Sequence, residues 1–220
     1  MNGGIRFGSR LFVRLKTGRM HMDKMMKLVL ASASPRRKEL LAQIGIVPEI
    51  VPSTIEEVIT SSVPEDVVME LSLQKAQDVA GRQELGTCVI GADTVVAANG
   101  QILGKPVSHD DAHRMISMLQ GRTHQVYTGV TLVFCGQTGR TVRTFVEKTD
   151  VSVYSMSEKE IKTYADDKDP MDKAGAYGIQ GKFAAFIKGI DGDYNNVVGL
   201  PVGRVFQEMK QMFEQEENND

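Results

Sequence analysis

Twelve consecutive residues, Thr87–Ala98, are apolar, small or hydroxylic except for one carboxylate, Asp93. A run of that length falls far short of the roughly 20 residues that span a bilayer, and its Val- and Ile-rich make-up is that of a buried strand. Asn99-Gly100 follows, a strong two-residue hairpin signal that turns the chain into Gln101–Leu103. The chain must therefore build a sheet around this run and accommodate a carboxylate in the middle of it. Burying that charge is costly unless it is paired, bound to metal or facing a cleft.

Strands and helices alternate around this centre. Lys27–Ala31 reads as a short strand, and Ser34-Pro35 opens a helix that Gly45 closes. Ile50–Pro52 reads as a second strand, and Pro64–Arg82 as a helix with an apolar arc of Val68, Leu71, Ala76 and Val79. Ser108 with Asp111, and Ser157 with Glu160, mark the starts of two further helices, ending near Gly121 and Asp167. Between them lie two long strands, Thr123–Phe134 and Thr141–Tyr154. A Gly-rich stretch, Lys173–Lys182, leads into apolar Phe183–Ile187, then a polar loop over Asp191–Asn196. A helix after Pro201 closes the chain with Val205, Phe206, Met209 and Phe213 on one face. The expected fold is α/β: a mixed, twisted sheet with flanking helices, arranged as two lobes around a cleft.

Composition removes several classes of function. Hydrophobic residues make up 41% and charged residues 25% of the 220, the balance of a globular chain. A net charge of -2 argues against bulk nucleic-acid binding, and no apolar run supports a membrane anchor. Cys88 and Cys135 sit inside apolar runs, as reduced thiols do, which points to the cytoplasm. Residues 1–24 carry six bases and one acid, leaving a body of 20 bases and 27 acids with a net charge near -7. That leader lacks a secretory apolar core and is read as a disordered tail or an over-called start, followed by one domain over 25–214 and an acidic tail over 215–220.

Three segments carry chemistry. Ala31-Ser32-Ala33-Ser34-Pro35-Arg36-Arg37 runs from a strand end into a helix N-terminus, where free N–H groups attract anions. Two arginines there oppose the helix dipole, so a phosphate chain gripped by guanidinium forks would compensate; an ordinary cap with surface arginines is the alternative. Gly91-Ala92-Asp93-Thr94 places the acid of the central strand beside small residues, suited to metal coordination or proton abstraction from water, with a structurally paired aspartate as the alternative. Lys75 falls within the apolar arc of its helix, either snorkelling to the surface or turned toward the site, and Lys105 sits in a tight turn as a surface lysine or a further ligand. Glu56-Glu57 could supply an oxygen ligand to a divalent cation or be solvated loop acids. In Met171–Gly181, three glycines allow close approach of a ligand, and Gln180 offers a donor and an acceptor for a base edge. His109 and His113 read as an exposed first helical turn. No Walker-type loop or dinucleotide fingerprint is present.

Taken in order, Leu30–Leu41, Gly91-Ala92-Asp93-Thr94, Gly104-Lys105-Pro106, Asp172–Gly181 and Asp191-Gly192-Asp193-Tyr194…Gly199-Leu200-Pro201 resemble the motifs of the Maf family of nucleotide pyrophosphatases. The resemblance runs from about Lys27 to about Phe213. It implies a fold related to inosine-triphosphate pyrophosphatases, with Asp93 as proton acceptor and Arg36, Thr94 and Gln180 setting substrate choice. It also implies that Ser32, Arg37, Lys75 and Lys105 line the phosphate site and that Glu56 binds metal, magnesium or else manganese. Thr94 and Gln180 together match the branch that hydrolyses dTTP and UTP to monophosphate and pyrophosphate. A branch acting on 7-methyl-GTP carries glutamate at the position of Gln180, and a nucleotide-binding regulator of septum formation is the non-enzymatic alternative. Family members are commonly homodimers.

Overall fold

The computed structural model describes residues 27–219, so the leader read over 1–24 lies outside the described residues. Strand Lys27–Leu30 (β1) leads into helix Pro35–Gln43 (α1), strand Glu49–Ile50 (β2) and helix Pro64–Ala80 (α2). Strand Thr87–Ala98 (β3) and hairpin strand Gln101–Leu103 (β4) follow, with Asn99 and Gly100 at φ 52° and 74°, the positive values a type I′ turn needs. Helix His109–Leu119 (α3), strands Thr123–Cys135 (β5) and Arg140–Val153 (β6), and helix Glu158–Ala165 (α4) continue the alternation. Three short 3-10 segments lie within 169–186, before strand Ile187–Asp191 (β7), helix Tyr194–Val198 (α5) and helix Val202–Asn219 (α6).

The expected caps form. Ser108 Oγ accepts from the Asp111 N–H at 3.1 Å, and Ser157 and Glu160 make a reciprocal capping box. One expectation changes. The segment read as a polar loop over Asp191–Asn196 ends in α5, because Asp193 caps it by accepting from the Asn195 N–H at 2.7 Å. The acidic run from 215 falls on the end of α6, which extends through 219.

The seven strands of the described residues form one mixed sheet, ordered β2-β1-β3-β5-β6-β7, with β4 on the same edge of β3 as β1. β1 pairs in parallel with β2 and β3, and the remaining pairs are antiparallel. Along that edge, β1 covers Thr87–Ile90 and β4 covers Val96–Ala98. Residues 91–95 have no strand beside them there among the described residues, and this notch in the sheet holds Asp93 and Thr94.

Alternation along β3 sends odd and even residues to opposite faces. Val89, Val95 and Ala97 pack under α2. Cys88, Ile90 and Ala92 pack with α1 and α6, whereas Val96 and Ala98 pack with α3 and α4. The two lobes of the sequence reading are therefore two core clusters on one face of a shared sheet, and they part at the notch.

Candidate active site

α2 lies directly on the sheet. A Cβ at Gly91 would meet the Ser72 carbonyl oxygen at 2.4 Å, and one at Gly129 would meet the Val68 carbonyl oxygen at 2.2 Å. Only the absence of a side chain permits that approach, and Lys75 is thereby carried over Asp93. Its ammonium pairs with Asp93 Oδ1 and with Glu57 Oε1 at 2.9 Å. Lys75 points into the site and does not snorkel.

Glu57 arrives on an irregular strap, residues 51–63, tied to the outer side of α2 by three side chains spaced four apart. Asp78 accepts from Ser53 Oγ at 2.8 Å and from the Thr54 N–H at 3.2 Å. Gln74 brackets Val58, accepting from its N–H at 3.0 Å and donating to its carbonyl at 2.6 Å. Glu70 accepts from the Thr60 N–H at 3.0 Å and from the Thr60 hydroxyl, bonds that hold its carboxyl below the usual range.

On the opposite face of the sheet, Arg37 is held by three neutral acceptors. Its Nε donates to the Gly199 carbonyl at 2.9 Å, Nη1 to Ser32 Oγ at 3.0 Å and Nη2 to Thr94 Oγ1 at 3.1 Å. Desolvation lowers its pKa from the ordinary value, the charge of Asp93 opposes that shift, and Arg36 adds to it. Arg36 reaches across the mouth to Asp172, 2.8 Å from Oδ2. Burial works against the Asp172 carboxylate, yet hydrogen bonds from Lys173 and Arg36 bring it to about 2. Lys105 is exposed on the rim and forms no ion pair among the described residues.

The Gly-rich loop closes the third side. Lys173 bonds Asp172 at 2.6 Å and Asp169 at 3.1 Å, and its stem fills the space in which a Gly178 side chain would stand. Tyr177 is buried with its hydroxyl 2.7 Å from His124 Nε2, and Gln180 faces the cleft from an exposed position. His109 and His113 are docked rather than free, against the Ala165 carbonyl and Glu158 of α4, both at 2.7 Å.

One cleft of about 1050 Å³ thus gathers Ser32, Arg36, Arg37, Lys75, Asp93, Thr94, Lys105 and Gln180. Glu56 is exposed and outside the lining, and its neighbour Glu57 takes the inward place. The sequence reading placed Gly199 in a motif without giving it a role, and it did not single out Thr128 or Asn196. The only signal for Thr128 was a hydroxyl residue between the apolar neighbours of β5, and Asn196 was hidden in a run rich in turn formers. Chemically, the cleft offers a water-accessible carboxylate beside cations that can bind a polyanion.

A family model described as Maf-like protein matches residues 27–212. A dTTP/UTP pyrophosphatase of Agathobacter rectalis is 58% identical over 86% of this chain and 98% of the relative. Relatives of the same name from Lachnoclostridium phytofermentans and Bacillus cereus are each 50% identical, over 84% and 85% of this chain and 95% and 96% of theirs. A solved HAM1 protein from Coxiella burnetii is a partial likeness, with TM-score 0.41 and 18% identity over 59% of this chain and 73% of that chain.

Proposed function

The chain belongs to the Maf family, and on that footing we propose that its cleft hydrolyses dTTP and UTP to the nucleoside monophosphate and pyrophosphate. The observation that carries this reading is Arg37. A desolvated guanidinium that is hydrogen-bonded by neutral oxygens and has no ion-pair partner among the described residues, with the charge of Asp93 as its nearest compensation, is completed by a phosphate chain. The relatives named dTTP/UTP pyrophosphatase support the choice of base.

In this reading Arg37, Arg36, Lys75 and Lys105 bind the triphosphate and neutralise charge that develops on its oxygens. Lys75 fixes one oxygen of Asp93, and Oδ2, which makes no hydrogen bond among the described residues, faces the attacking water. Asp93 takes the water's proton as the new O–Pα bond forms. The bond from Pα to the bridging oxygen breaks, and pyrophosphate leaves. Mg²⁺ is commonly held by one or two carboxylates together with substrate phosphates, and Asp93 and Glu57 fit that donor set. Charge neutralisation at the phosphate oxygens is the chemistry the ion supplies when bound. In this proposal Gln180, which lines the cleft, reads the pyrimidine edge. A homodimer in the cytoplasm completes the proposal, the location supported by two free, buried thiols.

A panel of dTTP, UTP, CTP, purine triphosphates and 7-methyl-GTP tests the base assignment. We expect dTTP and UTP to be turned over fastest, and Gln180→Glu to erode that preference. An unchanged preference in Gln180→Glu would remove Gln180 as the base reader.

A further inference from the structure

Thr94 and Thr128 face each other in register across β3 and β5, with their hydroxyl oxygens 2.9 Å apart. Thr128 Oγ1 also donates to the Asn196 carbonyl at 3.1 Å, which commits its single hydrogen. Thr94 must then donate to Thr128, leaving its lone pairs to accept from Arg37 Nη2. The opposite polarity would send the Thr94 hydrogen to the Gly199 carbonyl at 3.4 Å. Under either polarity the Thr94 hydrogen is used inside the protein, and its oxygen faces Arg37.

The second grip on Arg37 traces to the same place. Asn196, fully buried, donates from Nδ2 to the Val126 carbonyl at 3.1 Å and to Thr149 Oγ1 at 2.9 Å. Thr149 in turn donates to the Asp193 carbonyl at 3.0 Å. These bonds fasten α5, a helix of only five residues, to β5 and β6. Three residues after Asn196, Gly199 turns the chain at φ 128° and presents its carbonyl to Arg37 Nε. Both Thr128 and Asn196 are 0% exposed. A buried hydroxyl or amide is costly unless it is bonded. Thr128 bonds Thr94, which accepts from Arg37. Asn196 anchors through Nδ2 the helix that precedes Gly199, while its Oδ1 has no hydrogen-bond partner among the described residues.

We propose that Thr128 and Asn196 are positioning residues that aim Arg37 at the phosphate chain, and that Thr94 acts on the substrate through Arg37 rather than by reading the base. The inference rests on the pyrophosphatase reading above. It makes Arg37 a pre-set fork whose orientation is fixed before substrate arrives, so that little side-chain entropy is lost on binding.

Thr128→Val keeps the shape of the side chain and removes its hydrogen bonds; Thr128→Ser keeps the hydroxyl. Steady-state kinetics with dTTP and UTP, and competitive inhibition by inorganic tripolyphosphate, which has no base, read the effect. We expect Thr128→Val to raise KM for both nucleotides and the inhibition constant for tripolyphosphate together, by about tenfold or more, with the dTTP-to-UTP ratio unchanged. Thr128→Ser should restore all three to within about twofold. An unaltered inhibition constant in Thr128→Val, in a variant whose circular dichroism matches wild type, overturns the proposal. So does a change in base preference with phosphate affinity intact. A misfolded Thr128→Val moves the test to Thr94→Val, for which the same joint rise is expected and an unaltered inhibition constant again overturns the proposal. If wild type itself releases no pyrophosphate from any nucleotide, the pyrophosphatase reading fails; tripolyphosphate affinity of wild type and variant, measured by calorimetry, still decides the positioning claim.

Discussion

Asp93 on β3 is paired in register with Gly129 on β5, and the missing side chain at 129 decides how close α2 comes to that carboxylate. The Val68 carbonyl occupies the space a Cβ would need. Gly91, two residues before Asp93 on the same face, is filled in the same way by the Ser72 carbonyl and Ala76. Two glycines on neighbouring strands thus seat the helix that brings Lys75 to Asp93.

Gly129→Ala should accordingly push α2 off the sheet. The obstacle is backbone rather than a flexible side chain, so a stability loss of about 1–3 kcal/mol or more is expected in denaturant unfolding. Turnover per folded molecule should fall as well, because Lys75 moves with its helix. Wild-type stability and turnover together would contradict the seating described above.

Glu57 reaches the cleft on a strap that Gln74 holds by two hydrogen bonds to Val58. Gln74→Ala removes both without touching the cleft lining. The magnesium concentration giving half-maximal activity should rise about fivefold or more, at roughly 0.5–1.5 kcal/mol for each of the two bonds, with base preference unchanged. An unshifted magnesium titration would show that the strap does not position a metal ligand.

His124 gives a pH signature of stability. Burial pushes its pKa from 6.5 down to about 4, with the charge of Asp150 on β6 pulling the other way; Tyr177, its partner on the Gly-rich loop, stays neutral. Between those two values the unfolded chain binds the proton and the folded chain does not, so stability rises with pH across that window and is lost as pH falls. Between pH 7 and pH 4.5 the wild type should lose on the order of 2–3 kcal/mol more than His124→Gln, measured by chemical denaturation at each pH. Parallel pH dependences in the two proteins would contradict a buried neutral imidazole.

Local signals carried much of this fold into the sequence. Thr87–Ala98 and Gln101–Leu103 were legible to the residue because a hairpin turn with a known dihedral demand separates them. The helix starts at Ser108 and Ser157 were legible because a cap is a contact over three residues. What stayed hidden depends on non-local packing. Lys75 reads equally as a snorkelling lysine until Gly91 and Gly129 are seen beneath its helix. Glu56 and Glu57 are adjacent, and only the strap's attachment to α2 selects which one turns inward. The edge strand Ile187–Asp191 carries Lys188, Gly189 and Asp191, and it is mostly exposed, so it shows no apolar alternation. α5 is too short and too rich in asparagine to announce itself.

The central claim is cleavage between the α- and β-phosphates with Asp93 as the base. The most direct test is to incubate dTTP and Mg²⁺ with wild type and with Asp93→Asn, follow the products by phosphorus NMR, and measure nucleotide binding to both proteins. We expect dTMP and pyrophosphate in equal amounts from wild type, and near-wild-type binding with turnover reduced about a hundredfold or more in the variant. Formation of dTDP and orthophosphate, or undiminished turnover in Asp93→Asn, would contradict it.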